Sequence, residues 1–243
     1  MPQFFCPPEN ILQKFAAIKD PFQIRHIKDV LRFKRGDPLQ IFDGRGNIYK
    51  GKVTSLNKNK IEIEITQKEF KAKKSPSLTL AVAIPKDAKM DYIVEKLTEL
   101  AVDKIIPLLT GRTIVRLDEN AKKNKVRRWQ KISLNAAEQS QRPYLVQIEE
   151  VLTFKEVLLR SKDYDLKLIP TLWGERKKIK EFSADYKNIL VFIGPEGDFT
   201  PQEVSQAQRL GFIPVDLGET VLKVDTAAIS IAAFFNFLKT VSS

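Results

Sequence analysis

The chain has 243 residues, of which 43% are hydrophobic, with a single cysteine and a formal net charge of +11. That length suffices for one large or two modest domains. One cysteine excludes an internal disulfide and fits a reducing cytoplasm. No apolar run is long enough to span a bilayer and no signal-peptide pattern is present, so no membrane association is expected.

The charge is lopsided. Residues 1–75 hold 16 Lys and Arg against 8 Asp and Glu, a net of +8; the rest hold 25 against 22, a net of +3, which together give the +11 of the whole chain. An excess of cations in one third of a chain suits a polyanion, because each neutralised phosphate releases counterions. A lysine-rich soluble surface has the same composition, so charge alone does not decide.

In chain order, Cys6 reads as a small buried hydrophobe. Leu39 to Asp43 and Ile48 to Val53 flank Gly44-Arg45-Gly46-Asn47, a hairpin turn. Lys60 to Thr66 alternates strictly, with isoleucines on one side and charges on the other. Short strands with polar outer faces predict a small barrel. Lys71 to Ser77 is charged and without period, and is read as a linker. Leu78 to Ile84 is almost continuously apolar, as in a strand covered by helices on both faces. The next helix puts Met90, Ile93, Val94, Leu97, Leu100 and Ala101 on one stripe. A strand at 104–109 and a helix over 120–141 follow. Strands near 166–169, 189–193 and 213–217 come next, with helices between them. This alternation predicts a largely parallel sheet. Thr200-Pro201-Gln202-Glu203 is a helix start with a capping box, and Gly211 stops that helix. The last helix, 226–238, is apolar nearly all round, and predicts either a core helix or a share in a dimer interface.

The strand Ile189–Ile193 runs directly into Gly194-Pro195-Glu196-Gly197. Ligands of α/β proteins sit at such exits, where glycines let backbone amides approach. The loop lacks the Lys-Ser/Thr ending of a P-loop and the three-glycine dinucleotide fingerprint, so spacing names no ligand. No His/Cys cluster offers a metal site, and none is expected. The only histidine, His26, lies in the basic third.

The stretch from Ile189 to Thr200, with Leu217-Gly218 and Leu222 to Ala227, resembles the signature of the RsmE family. These are bacterial enzymes of the SPOUT superfamily that methylate N3 of a uridine in 16S ribosomal RNA. Lys89 to Leu100 is similar to the family's helix after its first core strand. Asn135 to Arg142 is similar to its Ala-Glu-Gln-Ser-x-Arg motif. His26 to Arg32 and Phe42-Asp43-Gly44 also match, so the resemblance covers nearly the whole chain.

The resemblance implies an α/β fold in two domains. Residues 1–74 would form a small PUA-like β-barrel that binds RNA. Residues 75–243 would form a SPOUT-type parallel-sheet domain with a trefoil knot. It implies S-adenosyl-L-methionine as cofactor, the small ribosomal subunit as partner, a homodimer and a cytoplasmic location. The cofactor would lie among three loops: after Leu168-Ile169-Pro170, at Gly194-Pro195-Glu196-Gly197, and over Leu217-Gly218 to Leu222. On the substrate side, Arg142 would bind a phosphate or stabilise an oxyanion, with Glu138 and Gln139 hydrogen-bonding the base or accepting its N3 proton. Arg25, His26, Arg32, Lys34, Arg35, Arg45 and Lys223 are the expected RNA contacts.

The chain also departs from the family. Where the family has Leu-Gly-x-Arg-Ile-Leu-Arg-x-Glu-Thr-Ala, this chain has Thr220, Lys223 and Asp225 in place of two arginines and the glutamate. Asp198 replaces the usual second loop glycine, and Gln3 an N-terminal arginine. Lysine and aspartate keep charge but lose bidentate geometry and reach. Two alternatives therefore stay open: a non-catalytic RNA-binding or ribosome-assembly protein on the same scaffold, or methylation of a different nucleotide.

Overall fold

A computed structural model describes residues 1–86, 88–183 and 185–241. Two compact units emerge: Met1–Lys73 with Leu134–Leu145, and Lys74–Ser133 with Val146–Ser243.

The first unit is a five-stranded mixed sheet. Its strands are β1 (Gln3–Phe5), β2 (Phe15–Ile18), β3 (Pro38–Phe42), β4 (Asn47–Leu56) and β5 (Ile61–Phe70), in the order β1-β3-β4-β5-β2. Only β1 and β3 pair in parallel. The short helix α1 (Pro21–Arg25) is capped by Asp20 and runs on into a π-turn over His26–Val30. The alternation of β5 has its expected result: Ile61 and Ile63 are buried with Leu39, Ile41 and Val53, while Glu62 is half-buried and Glu64 exposed. Cys6 is fully buried in the same cluster, and burial pushes its thiol up to about 11.

The predicted hairpin turn is built by Asp43. Its carboxylate accepts from the Arg45 and Asn47 amides at 2.8 and 3.1 Å, and Gly44 and Gly46 take positive φ. A Cβ on Gly46 would collide with the Tyr144 hydroxyl. Tyr144 belongs to the segment Leu134–Leu145, which the sequence places in the second domain but which packs with the first unit. Ala137 is buried with Phe42 and Ile48, and Phe5 and Leu145 pack against them. The Tyr144 hydroxyl donates to the Lys71 carbonyl at 2.7 Å. These contacts join residues more than 70 positions apart, which chain order does not reveal.

The second unit holds an all-parallel sheet. Its strands are β6 (Ser77–Ala83), β7 (Lys104–Leu109), β8 (Gln147–Ile148), β9 (Leu152–Thr153), β10 (Leu166–Pro170), β11 (Lys177–Lys178), β12 (Asn188–Ile193) and β13 (Ile213–Asp216), in the order β11-β13-β10-β12-β6-β7-β8, with β9 beside β7. The helices are α2 (Lys89–Glu99), α3 (Glu119–Gln139, which belongs to this unit as far as Ser133), α4 (Phe154–Leu159), α5 (Pro201–Arg209) and α6 (Val224–Val241). Two core clusters cover the two faces of the sheet. Leu78, Leu80, Val82, Ile189, Val191 and Ile193 meet residues of α2, α3 and α6. Ala81, Leu190, Phe192 and Leu108 meet residues of α4 and α5. This explains the continuous apolar runs of β6 and β12, since both faces are covered.

The helix α6 has a polar component that its composition hides. Val224, Ala228, Ile231, Ala232 and Phe235 are buried, whereas Phe237 is 67% exposed. Near its end Lys239 is buried and pairs with Asp103 at 3.3 Å, and Asp103 also accepts from the Leu78 amide. Removing one partner of such a pair would strand a buried charge.

Candidate functional site

The strand order brings three of the predicted loops side by side. In the parallel sheet β10 lies between β13 and β12. The chain therefore leaves all three strands at the same end, as Thr171, Gly194 and Leu217. Crevices at the carboxyl ends of parallel strands are where α/β proteins bind ligands.

The predicted residues differ in character. Leu168 and Ile169 are fully buried, one on each face of the sheet, and Pro170 closes β10. Pro195 is buried, while Glu196 and Gly197 are exposed. A turn closes from the Asp198 amide to the Pro195 carbonyl at 2.9 Å. A Cβ on Gly194 would press on the Phe199 ring at 2.9 Å, so that glycine serves packing. On Gly197 the nearest atom would be Arg112 Cδ at 3.5 Å, so that glycine has room. Gly218 has φ +136°, backbone that L side chains rarely adopt. Leu217 and Leu222 both pack on the main core, and Lys223 is exposed.

Polar side chains tie the loops together. Asp198 stands where the family usually has glycine, and its φ of +60° lies in the left-handed region. Its carboxylate accepts from Thr171 Oγ1 at 3.0 Å, the Leu172 amide at 2.8 Å and the Phe199 amide at 2.7 Å. It thereby fastens the loop after β12 to the loop after β10. Glu203 accepts from the Gly111 amide at 2.8 Å while closing the capping box with Thr200, which adds the loop after β7. From that loop Arg112 donates to the Gly197 carbonyl. Trp173, 43% exposed, donates its indole N–H to the Phe199 carbonyl at 3.1 Å. The sequence signal for Asp198 was its departure from the family; for Arg112 and Trp173 there was none.

One atom bears directly on whether a cofactor fits. Asp225 Oδ1, in the first turn of α6, is buried and has no hydrogen-bond partner among the described residues. An orphaned buried acceptor is costly and calls for a donor. S-adenosylmethionine carries donors on its adenine amine, its ribose hydroxyls and its ammonium, each of a type that a carboxylate oxygen accepts. Among the described residues no cluster of His, Cys, Asp and Glu could hold a metal.

Glu138, Gln139 and Arg142 belong to the first unit. Glu138 Oε1 accepts from the Phe5 amide at 2.9 Å and from Gln23 Nε2 at 2.6 Å, and burial raises its pKa above the ordinary carboxyl value. Gln139 is exposed and Arg142 half-buried; the Arg142 amide bonds the Ala137 carbonyl, and its own carbonyl accepts from Gln3. Arg25, His26, Arg32, Lys34, Arg35 and Arg45 are all exposed on this unit. His26 lies 6.2 Å from the Phe4 ring centroid, and Arg25 is 4.0 Å from Asp29.

Comparison with known proteins agrees with this architecture. A family model described as an RNA methyltransferase domain matches residues 73–236, and one described as an RNA methyltransferase PUA domain matches residues 20–66. Ribosomal RNA small subunit methyltransferase E of Synechocystis is 31% identical over 238 residues, covering 95% of this chain and 76% of that protein. Its namesake in Mesomycoplasma hyopneumoniae is 32% identical over 222 residues, covering 90% and 93%. The Neisseria gonorrhoeae enzyme of that name, solved bound to S-adenosyl methionine, superposes with a TM-score of 0.87 at 30% identity, covering 98% of each chain. With the domain match spanning most of the sequence and these relatives spanning nearly all of it, the chain belongs to the ribosomal RNA small subunit methyltransferase E family.

Proposed function

We propose that this chain methylates N3 of a uridine in 16S ribosomal RNA, with S-adenosylmethionine as donor. The observation that supports this most strongly is the end-to-end likeness to the Neisseria enzyme bound to that cofactor, with a TM-score of 0.87 over 98% of both chains. The residues at Pro170–Leu172, Gly194–Gly197 and Leu217–Leu222 would enclose the cofactor, with Asp225 Oδ1 as acceptor for one of its donors. When bound, the cofactor supplies an electrophilic methyl group on a sulfonium.

The chain's own work is positioning and charge stabilisation. N3 of uracil is an imide N–H and becomes nucleophilic as its proton leaves, which puts negative charge on the ring oxygens. Arg142 suits that charge, and Gln139 suits a hydrogen bond to the base edge. Glu138 is engaged by Phe5 and Gln23, which fits a role in fastening the end of α3 so that its neighbours are presented. The exposed cations of the first unit would hold RNA phosphates.

The protein would act in the cytoplasm as a homodimer with a knotted second unit. The support for the dimer is the outer stripe of α6, where Ala233 and Phe237 are exposed in line with half-buried Ile229. The decisive experiment is single-turnover transfer of labelled methyl to small-subunit RNA, with the product nucleoside identified by mass spectrometry. N3-methyluridine is expected, and Arg142→Ala should slow transfer roughly a hundredfold. Cofactor binding without any transfer would mark a non-catalytic assembly protein, and label on another nucleoside would overturn the assignment.

A further inference from the structure

Trp173 is a large aromatic side chain that the core does not absorb. The other tryptophan, Trp129, is 1% exposed and bonds Asp91, whereas Trp173 is 43% exposed. Exposure here is not slackness. The indole N–H is held by the Phe199 carbonyl at 3.1 Å, and the Trp173 amide by Thr171 Oγ1 at 3.2 Å. The ring is thus pinned beside two of the loops that meet at the carboxyl end of the sheet.

Directly after it the sequence runs Gly174-Glu175-Arg176-Lys177-Lys178-Ile179-Lys180, four cations against one carboxylate, and all four cations are exposed. Arg176 folds back and donates to the Thr171 carbonyl at 3.3 Å, which keeps its guanidinium near the same loop. Lys177 and Lys178 form β11, the outermost strand, paired with Val215 and Asp216 at the end of β13. The two lysines therefore stand level with the start of the loop over Leu217–Leu222. A fixed aromatic face beside a row of cations is the combination that binds single-stranded nucleic acid: bases stack on the ring, and phosphates follow the charge.

We propose that Trp173 and the basic edge strand behind it are a second RNA contact of this chain, within the catalytic unit, where an unstacked base of single-stranded RNA lies on the indole. Arg176, Lys177 and Lys178 hold the adjoining phosphates. The inference rests on the reading that the substrate is RNA. It adds to that reading a contact outside the basic first unit and outside the motifs of the family signature.

The buried position of Trp129 makes the test direct, because only Trp173 is open to acrylamide. The full-length protein, saturated with S-adenosylhomocysteine, is titrated with a mixed-sequence single-stranded oligoribonucleotide. Binding is followed by anisotropy of a label on the RNA and, in parallel, by tryptophan emission. RNA should quench Trp173 and shield it from acrylamide. Trp173→Ala should weaken binding roughly tenfold, while Trp173→Phe keeps most of it. That contrast separates stacking from pinning, since phenylalanine retains a ring but loses the indole hydrogen bond. Lys177→Glu with Lys178→Glu should reduce the salt slope by about 1.4, two phosphate contacts at about 0.7 each on a single strand. The inference is overturned if RNA binds without changing Trp173 emission, or if Trp173→Phe and Trp173→Ala are equally weak. It is also overturned if Trp173 is already shielded in the protein alone in proportion to protein concentration, which would mean that a second copy covers it. Methyl transfer by the unmodified enzyme is scored separately. Its absence counts against the proposed function, whereas intact transfer with unchanged kcat/KM in Trp173→Ala counts against this inference alone.

Discussion

Asp198→Gly restores the residue that the family usually carries, and the structure says that the restoration should be harmful. The Asp198 carboxylate fastens the loop after β12 to the loop after β10 through Thr171 Oγ1 and the Leu172 amide. A hydrogen bond to a charged acceptor contributes about 1.5–3 kcal/mol. Leu172 is exposed and Asp198 half-buried, so water replaces part of what is lost and the lower end applies, roughly 2–3 kcal/mol for the pair. Against this, the φ of +60° strains an L-residue, by about 1 kcal/mol for a short polar side chain that tolerates this region. Glycine relieves that strain, which leaves a net loss of about 1–2 kcal/mol. Alanine loses the carboxylate and gains no relief, for a loss of about 3 kcal/mol. Asparagine keeps an acceptor oxygen and the left-handed tolerance, and should stay within about 1 kcal/mol of the parent. If the cofactor needs the fastened loops, affinity for S-adenosylmethionine should fall roughly tenfold for glycine and on the order of a hundredfold for alanine. Titration calorimetry on each variant gives the affinities, and urea melts show whether the loss is local. An Asp198→Gly variant that binds as tightly as the parent, or an alanine variant equal to the glycine one, would refute the reasoning.

Gly197→Val should fold, because Arg112 Cδ at 3.5 Å is the nearest obstacle to its Cβ, and should lose cofactor binding by calorimetry; Gly194→Ala should instead lower the melting temperature, since its Cβ strikes the Phe199 ring. Phe237→Asp, on the exposed stripe of α6, should leave a folded protein of monomer mass in light scattering, and a concentration-independent monomer in the unmodified protein would defeat the dimer. Cys6 should resist thiol reagents until the protein unfolds, because its thiol stays protonated up to about 11 in the native state. The unfolded thiol ionises near 9, so between those values the native state holds the extra proton and stability falls as pH rises, by on the order of 3 kcal/mol in all. Cys6→Ala should remove that part of the alkaline loss in denaturant melts, and an unchanged pH slope would show that the thiol is solvated.

The second unit was legible because its code is local. The continuous apolar run of β6 states that both faces are covered, and the Thr200–Glu203 capping box states where α5 begins. The boundary of the first unit was not legible. Ala137, Glu138 and Tyr144 read as the end of a helix and its exit, and their partners Phe42, Phe5 and Gly46 lie 95, 133 and 98 positions earlier. No periodicity records such a contact. The loops gave a mixed result for a similar reason. A glycine announces a backbone constraint without saying whether a ligand or a side chain imposes it, and only the room around the backbone separates Gly194, pressed by Phe199, from Gly197.

The placement of Leu134–Leu145 also changes how the basic first unit must be tested. Deleting residues 1–75 looks like removal of one domain in the sequence. In the structure it would strip Phe42 and Ile48 from Ala137, the Phe5 amide and Gln23 from Glu138, and the Lys71 carbonyl from Tyr144. Glu138, already disfavoured as an anion by burial, would lose the two donors that offset that cost. The motif carrying Gln139 and Arg142 would thus be disturbed together with the cations, and any loss of RNA binding or of methyl transfer would have two causes. Reversing exposed charges avoids this. Arg32→Glu with Arg35→Glu changes two exposed side chains on the unit and no packed one. If the first unit holds phosphates through them, the dependence of log affinity on log salt should flatten by about two while cofactor affinity stays put. An unchanged slope in that variant would move the phosphate contacts away from this surface.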